Sequence, residues 1–282
     1  MTPSDGNAQV RKPILVIGGT GKTGRRVAER LAARGLPVRI GSRSAMPAFD
    51  WEDRASWAPV LRGAAAAYIT YFPDLAVPGA VAAVRDLVAA ALAEGVRRLV
   101  LLSGRGEEEA QLSEQALQQS GADWTIVRAS WFSQNFSEST LLDGVQAGEI
   151  ALPAGAVGEP FIDADDIADV AVAALTQEGH VGQLYEVTGP RLLTFAEATA
   201  EIARASGRPV RYIEIPAADF TAALAEQQVP ADVTELLTYL FTTVLDGRNA
   251  RLADGVQRAL GRPPRDFAEY ARDVAATGIW AG

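Results

Sequence analysis

Ile14-Leu15-Val16-Ile17-Gly18-Gly19-Thr20-Gly21-Lys22-Thr23-Gly24-Arg25-Arg26-Val27-Ala28 is the stretch whose reading decides the fold. Four apolar residues run into Gly18, Gly21 and Gly24, and an amphipathic pattern then starts at Val27, Ala28, Leu31 and Ala32. That order reads as a buried parallel strand, a tight glycine turn and the start of a helix, the place where a dinucleotide pyrophosphate is held. Gly18 is expected to allow the sharp turn and Gly21 to let backbone N–H groups reach the phosphates. Gly24 is expected to let the helix pack closely on the strand.

Working outward, Arg34-Gly35 stops the helix, and Pro37 to Ser44 makes a second strand with its loop. Strands are expected again over 64–70, 97–103 and 124–128, separated by helices over 77–94 and 107–120. Alternation of this kind specifies an α/β fold, a Rossmann-like doubly wound parallel sheet. Beyond Arg128 the rhythm loosens. Ser130 to Gly158 is irregular, 163–175 is a helix, 183–187 a strand, and 208–215 a short strand. A helix over 194–206 opens on Thr194 with Glu197 three residues later, the spacing of a capping box. The tail from Ala217 is mostly helical, broken at Pro230, Gly247 and Gly261-Arg262-Pro263-Pro264. The expected organisation is a disordered lead-in over 1–12, a dinucleotide-binding core over 13–130 and a mixed region over 131–282. That last region completes the sheet and forms a smaller, mostly helical substrate domain packed against the core.

The composition narrows the function. With no cysteine there are no disulfides, thiolate nucleophiles or cysteine metal sites, and a net charge of −9 argues against a nucleic-acid partner. No apolar run is long enough to span a membrane, and the first residues lack a secretory pattern, so a cytoplasmic protein is expected. Asp163, Asp165, Asp166 and Asp169 group together, but they suit an N-cap and the positive end of a helix, so no metal is expected there. His180, between Gly179 and Gly182, reads as a surface turn residue. The oligomeric state, monomer or homodimer, stays open.

The glycine turn leaves two nucleotides to separate. Gly21-Lys22-Thr23 imitates the end of a P-loop, but that motif needs a glycine where Val16 stands. An NAD site usually carries a carboxylate about 20 residues after its first glycine. Here the loop after the second strand reads Gly41-Ser42-Arg43-Ser44, with no acid before Asp50. A guanidinium can grip a 2′-phosphate bidentately, so the expected cofactor is NADPH/NADP+. Its expected contacts are Gly18, Thr20, Gly21, Lys22, Thr23 and Gly24 of the turn, Ser42 and Arg43 of the next loop, and Thr70 and Ser103 at two further strand ends.

Ketone reduction on such a scaffold commonly uses a Tyr-x-x-x-Lys pair. The two lysines are Lys12 and Lys22, and none of the six tyrosines has a lysine four residues on, so the pair is absent. The strand ends supply Tyr71 and Phe72, then Ser103, Gly104 and Arg105, then Ser130, Trp131, Phe132 and Asn135. From these, Ser103 is the candidate catalytic hydroxyl, and Tyr71, Phe72, Trp131, Phe132 and Asn135 form the candidate substrate pocket.

The chain resembles the NmrA-like group of atypical short-chain dehydrogenases, and within it the ergot alkaloid reductases of the agroclavine dehydrogenase type. The resemblance rests on Gly18 to Arg26, Phe49-Asp50-Trp51-Glu52-Asp53-Arg54-Ala55-Ser56-Trp57, Tyr71-Phe72-Pro73-Asp74-Leu75 and Ser130-Trp131-Phe132-Ser133-Gln134-Asn135-Phe136. It continues through Phe161 to Ile167, Tyr185 to Pro190 and Gly261 to Phe267, covering nearly the whole chain. Ala129 departs from the group's proline, and Ser113-Glu114 stands where a histidine is often found. The resemblance implies NADPH-dependent reduction of an iminium in a polycyclic amine. A hydride added to a carbon–nitrogen cation yields a neutral amine, so that step needs no acid, and aromatic rings could steady the cation by about 0.5–2 kcal/mol each. The same pocket would suit a small aromatic ketone or quinone, with Ser103, a tyrosine, water or a substrate hydroxyl supplying the proton. A non-catalytic NADP-sensing regulator is the third reading the resemblance allows.

Overall fold

The computed structural model describes residues 11–139 and 141–281. All but Arg11 and Lys12 of the expected lead-in thus lies outside the described residues. The glycine stretch forms β1 (Ile14–Ile17) and α1 (Lys22–Ala33), and β2 (Val38–Gly41), α2 (Trp57–Leu61), β3 (Ala66–Ile69) and α3 (Ala80–Ala93) follow. Next come β4 (Arg98–Gly104), α4 (Glu108–Gln118), β5 (Asp123–Ala129), α5 (Leu141–Ala147), β6 (Glu149–Leu152), α6 (Ala164–Thr176) and β7 (Gln183–Val187). The chain ends with α7 (Phe195–Ser206), β8 (Arg211–Glu214), α8 (Ala217–Glu226), α9 (Ala231–Tyr239), α10 (Gly255–Leu260) and α11 (Phe267–Ala276).

Six strands form one parallel sheet in the order β2-β1-β3-β4-β5-β7. The order reverses at β1, so the crevice at the carboxyl ends of β1 and β3 is the ligand-binding position of an open α/β sheet. Strand alternation sends Leu15 and Ile17 to the face covered by α2, α3 and α4, and Ile14 and Val16 to the face covered by α1 and α6. Both faces are buried, which is why β1 is an unbroken apolar run rather than an alternating one.

The region after Arg128 divides its elements between two tasks. β7, α6 and α10 extend the sheet and its α1 side, while the two-stranded β6-β8 sheet, α7 and α11 enclose a separate core. That core is aromatic: Phe136, Phe161, Phe195, Phe241, Phe267, Tyr270 and Trp280 are buried together, and Trp280 Nε1 donates to Phe136 O at 2.8 Å. The capping box at α7 forms as expected, with Thr194 accepting from Glu197 N and Glu197 from Thr194 N. The stretch read as irregular holds α5 and β6, whose pairing with the distant β8 no local pattern announces.

His180 is corrected by the structure. It is buried, 7% exposed, with Nδ1 2.9 Å from the Tyr185 hydroxyl and its carbonyl accepting from Thr125 Oγ1. Burial, aided by the Arg98 charge, lowers its imidazole pKa. The four aspartates become a structural knot. Asp163 caps α6 by accepting from Asp165 N, Arg26 and Arg30 reach Asp165 from α1, and Arg262 and Arg265 bind Asp166 and Asp163. Among the described residues, no helix is long and apolar enough to cross a membrane.

Candidate functional site

The turn after β1 has the geometry its glycines imply. Gly18 sits at φ +71°, and a Cβ there would lie 2.0 Å from Thr70 Oγ1; at Gly24 a Cβ would lie 2.1 Å from Gly18 O. Gly21 is the N-cap of α1, no side chain caps the helix, and no acidic residue lies in its first turn. The helix therefore presents free amide donors and its positive end to the cleft, an arrangement that fits a pyrophosphate. Thr20 and Gly21 are exposed. Thr23 is buried, its hydroxyl accepting from Tyr68 OH at 3.0 Å, so its side chain serves the core and only its amide faces the turn.

Lys22 turns across the cleft, where Nζ donates to Asn135 Oδ1 at 3.1 Å. Burial lowers its pKa against the pull of Glu138. At the end of β2, Ser42 lies 3.3 Å from Ser44 Oγ, and Arg43 is exposed with no ion pair among the described residues. An unpaired guanidinium beside serine hydroxyls is the donor set a 2′-phosphate needs.

The strand ends sort the remaining candidates. Thr70 Oγ1 donates back to Ile17 O at 3.1 Å, holding the β1 and β3 ends together. Tyr71 is half-buried against Trp51 with ring centroids 4.7 Å apart, whereas Phe72 projects outward, 73% exposed. Trp131 and Phe132 do not line one surface. They are neighbours in extended backbone, so Trp131 packs on Phe195 and Phe241 while Phe132 packs on the sheet core.

Ser103 is buried, and its hydroxyl donates to Glu114 Oε1 at 2.6 Å; Glu114 in turn holds Arg128 through two hydrogen bonds. The Ser103 proton is thus directed into the protein. Two carboxyl arrangements at the strand ends have no counterpart in the sequence reading. Burial raises the pKa of both Asp74 and Glu107, and the Asp74 charge drives Glu107 further. Glu159 lies wholly buried beside β5, with Oε1 accepting from Trp131 N at 3.3 Å. Gly158-Glu159-Pro160 looks like an exposed turn by composition. Its burial comes from pairings with Leu193 and of Ile162 with Phe132, which are long-range and leave no local signal.

Comparison with known proteins gives the same fold and places it in a family. An NADPH-dependent quinone oxidoreductase from Escherichia coli, solved with NADPH, superposes with a TM-score of 0.75 over 93% of this chain and 99% of its own, at 24% identity. That likeness establishes the fold, one that an oxidoreductase uses to bind NADPH. An NAD(P)H azoreductase from Xenophilus azovorans is 34% identical, the match covering 93% of this chain and 98% of the relative. The agroclavine dehydrogenase of Claviceps fusiformis is 29% identical over 92% of this chain and 96% of its own. The likeness to the ergot alkaloid reductases is therefore real but does not stand apart from that to other reductases of small organic molecules. The NmrA-like family matches residues 10–271, and the chain belongs to it.

Proposed function

We propose that the protein is an NADPH-dependent reductase that delivers hydride to a C=N or C=O group of an aromatic or polycyclic small molecule, without a Tyr-x-x-x-Lys pair. The observation that carries the reading is the open start of α1, uncapped and free of acid, with unpaired Arg43 beside it. When bound, NADPH supplies a hydride. Gly18, Gly21 and Gly24 shape the turn for the pyrophosphate, Thr20 and the amide of Thr23 add donors, and Ser42 with Arg43 select the 2′-phosphate. Lys22, fixed by Asn135, places a cation between the turn and the segment after β5. Thr70 and Ser103 mark the strand ends on which the nicotinamide half rests.

Tyr71, Trp131 and Asn135 border the substrate end of the cleft in this reading, while Phe132, turned to the sheet core, and Phe72, turned outward, do not share that surface. Holding the two reactants together there is itself worth several kcal/mol of barrier. An iminium needs no acid, which accommodates the missing pair, and the ergot alkaloid relatives are named for substrates of polycyclic amine type. A quinone or ketone needs one, and Ser103 is poorly aimed to provide it because Glu114 takes its hydrogen. The test is turnover. NADPH consumption with a panel of cyclic iminium ions, quinones, azo dyes and aromatic ketones is the expected result; tight NADPH binding with no consumption by any of them would instead favour a cofactor-sensing regulator.

A further inference from the structure

The described residues contain few buried polar atoms without a hydrogen-bond partner, and two of them, Arg105 Nη2 and Glu159 Oε2, belong to residues close enough for the Arg105 charge to act on Glu159. Arg105 follows directly on β4, Ser130 follows directly on β5, and Glu159 lies against the amide of Trp131, so all three stand at the carboxyl edge of the sheet. Arg105 is 3% exposed and Glu159 0%. Arg105 Nε is held by Glu186, Nη1 by Asn249 O at 2.8 Å and Ser130 Oγ at 3.4 Å, which fixes the guanidinium plane and leaves Nη2 as the spare donor. Glu159 keeps Oε1 on Trp131 N and leaves Oε2 as the spare oxygen. A buried guanidinium and a buried carboxyl, each with one atom left without a hydrogen-bond partner, are costly to maintain unless something meets those atoms.

Resting on the reductase reading above, we propose that Arg105 and Glu159 form a carbonyl-activating site, Arg105 Nη2 donating to the oxygen of a quinone or ketone and Glu159 delivering its proton. The step balances: the hydride of the nicotinamide reductant forms the new C–H bond, the C=O π pair moves onto oxygen, and that oxygen takes the Glu159 proton. The products are Glu159 carboxylate, which is reprotonated from solvent, and the alcohol or, from a quinone, the hydroxydienone, which enolises to the hydroquinone by losing its new C–H proton to water while the second oxygen gains one. Such an acid must hold its proton near neutrality, and burial, opposed by Trp131 N, Arg105 and Ser130, pushes Glu159 up to about 7. Arg105 is the charged group acting on it; Glu186, with Arg128 and Arg251 beyond it, neutralises Arg105 from the far side. Asn249 covers Arg105 and donates to its carbonyl at 2.9 Å, so substrate entry requires this segment, which carries Gly247 at φ +98°, to give way.

Glu159→Gln tests the site because an amide keeps the size and the Trp131 contact but carries no transferable proton. In the parent, kcat/KM for an aromatic ketone should fall as pH rises through about 7. In Glu159→Gln it should be lower by about 10²–10⁴-fold, flat with pH and without a solvent isotope effect, while calorimetry shows NADPH bound as tightly as in the parent. Infrared titration of the cofactor-free protein supplies a readout independent of turnover: a carboxylic C=O band titrating near neutrality should be present in the parent and missing from the variant. An unchanged ketone rate and pH profile, or an unchanged band, would overturn the assignment, as would a loss confined to Glu107→Gln. A parent that reduces neither ketones nor iminium ions removes the reductase reading itself, a different failure.

Discussion

Two helices lie side by side on one face of the sheet, and their N-termini face the same physical problem in opposite ways. Each begins with unpaired amides and a partial positive charge. α6 fills that need from its own sequence: Asp163 caps it, Asp165 and Asp166 occupy its first turn, and arginines from α1 and from 262–265 neutralise them. α1 has a glycine at the cap position, no acid and no capping side chain. The first is a finished piece of structure. The second is left open, as is α3, which also starts on a glycine without a capping side chain or a first-turn acid; α1 differs in standing at the switch in strand order, and we read it as the ligand end.

The contrast can be broken most sharply by giving α1 what α6 has. Gly21→Asp places a carboxylate at the cap of α1, where the backbone is already extended and a Cβ meets only Gly18 O at 3.3 Å. Like-charge juxtaposition costs several kcal/mol, so NADPH affinity, measured by calorimetry, should fall at least about 100-fold while stability shifts by under about 1 kcal/mol. The converse change is Asp166→Ala in α6. It strips the Arg262 side chain and the Arg265 amide of a fully buried partner, and denaturant unfolding should show a loss of about 3 kcal/mol with NADPH affinity unchanged.

Glu159, five residues before α6, sharpens the comparison, because among the described residues it forms no ion pair. Its pKa is higher folded than unfolded, so the native state holds the extra proton and stability should drop as pH rises from about 4.5 to about 7. Glu159→Gln removes that dependence and should be the more stable protein at pH 8, by up to about 3 kcal/mol, with the two converging near pH 4 in thermal unfolding. A smaller effect is expected at α7, where Thr194→Ala breaks a complete capping box at a cost of about 1 kcal/mol in the same measurement.

The cofactor half was legible because its physics is local. Three glycines and an apolar run each state a requirement of the backbone, and the turn at Gly18 and Gly24 meets it. Thr194 with Glu197 was legible for the same reason. The substrate half was not, because its geometry is set by distant partners. Trp131 and Phe132 part company only once the segment pairs with Ile162. Glu159 is buried by Leu193, and His180, although flanked by glycines at φ above +70°, is drawn inward by Thr125 and Tyr185. Ser103 was found by position, but its engagement with Glu114 depends on a residue one helix away.

The central claim is that the open start of α1 and the loop after β2 together hold a phosphorylated dinucleotide. Calorimetric titration of the parent and of Arg43→Ala with NADPH and with NADH tests it directly. The parent should bind NADPH tighter than NADH by about 10- to 100-fold, a charge-assisted contact of about 1.5–3 kcal/mol, and Arg43→Ala should lose that preference while keeping its NADH affinity. Equal affinities in the parent, or equal losses for both nucleotides in the variant, would contradict it.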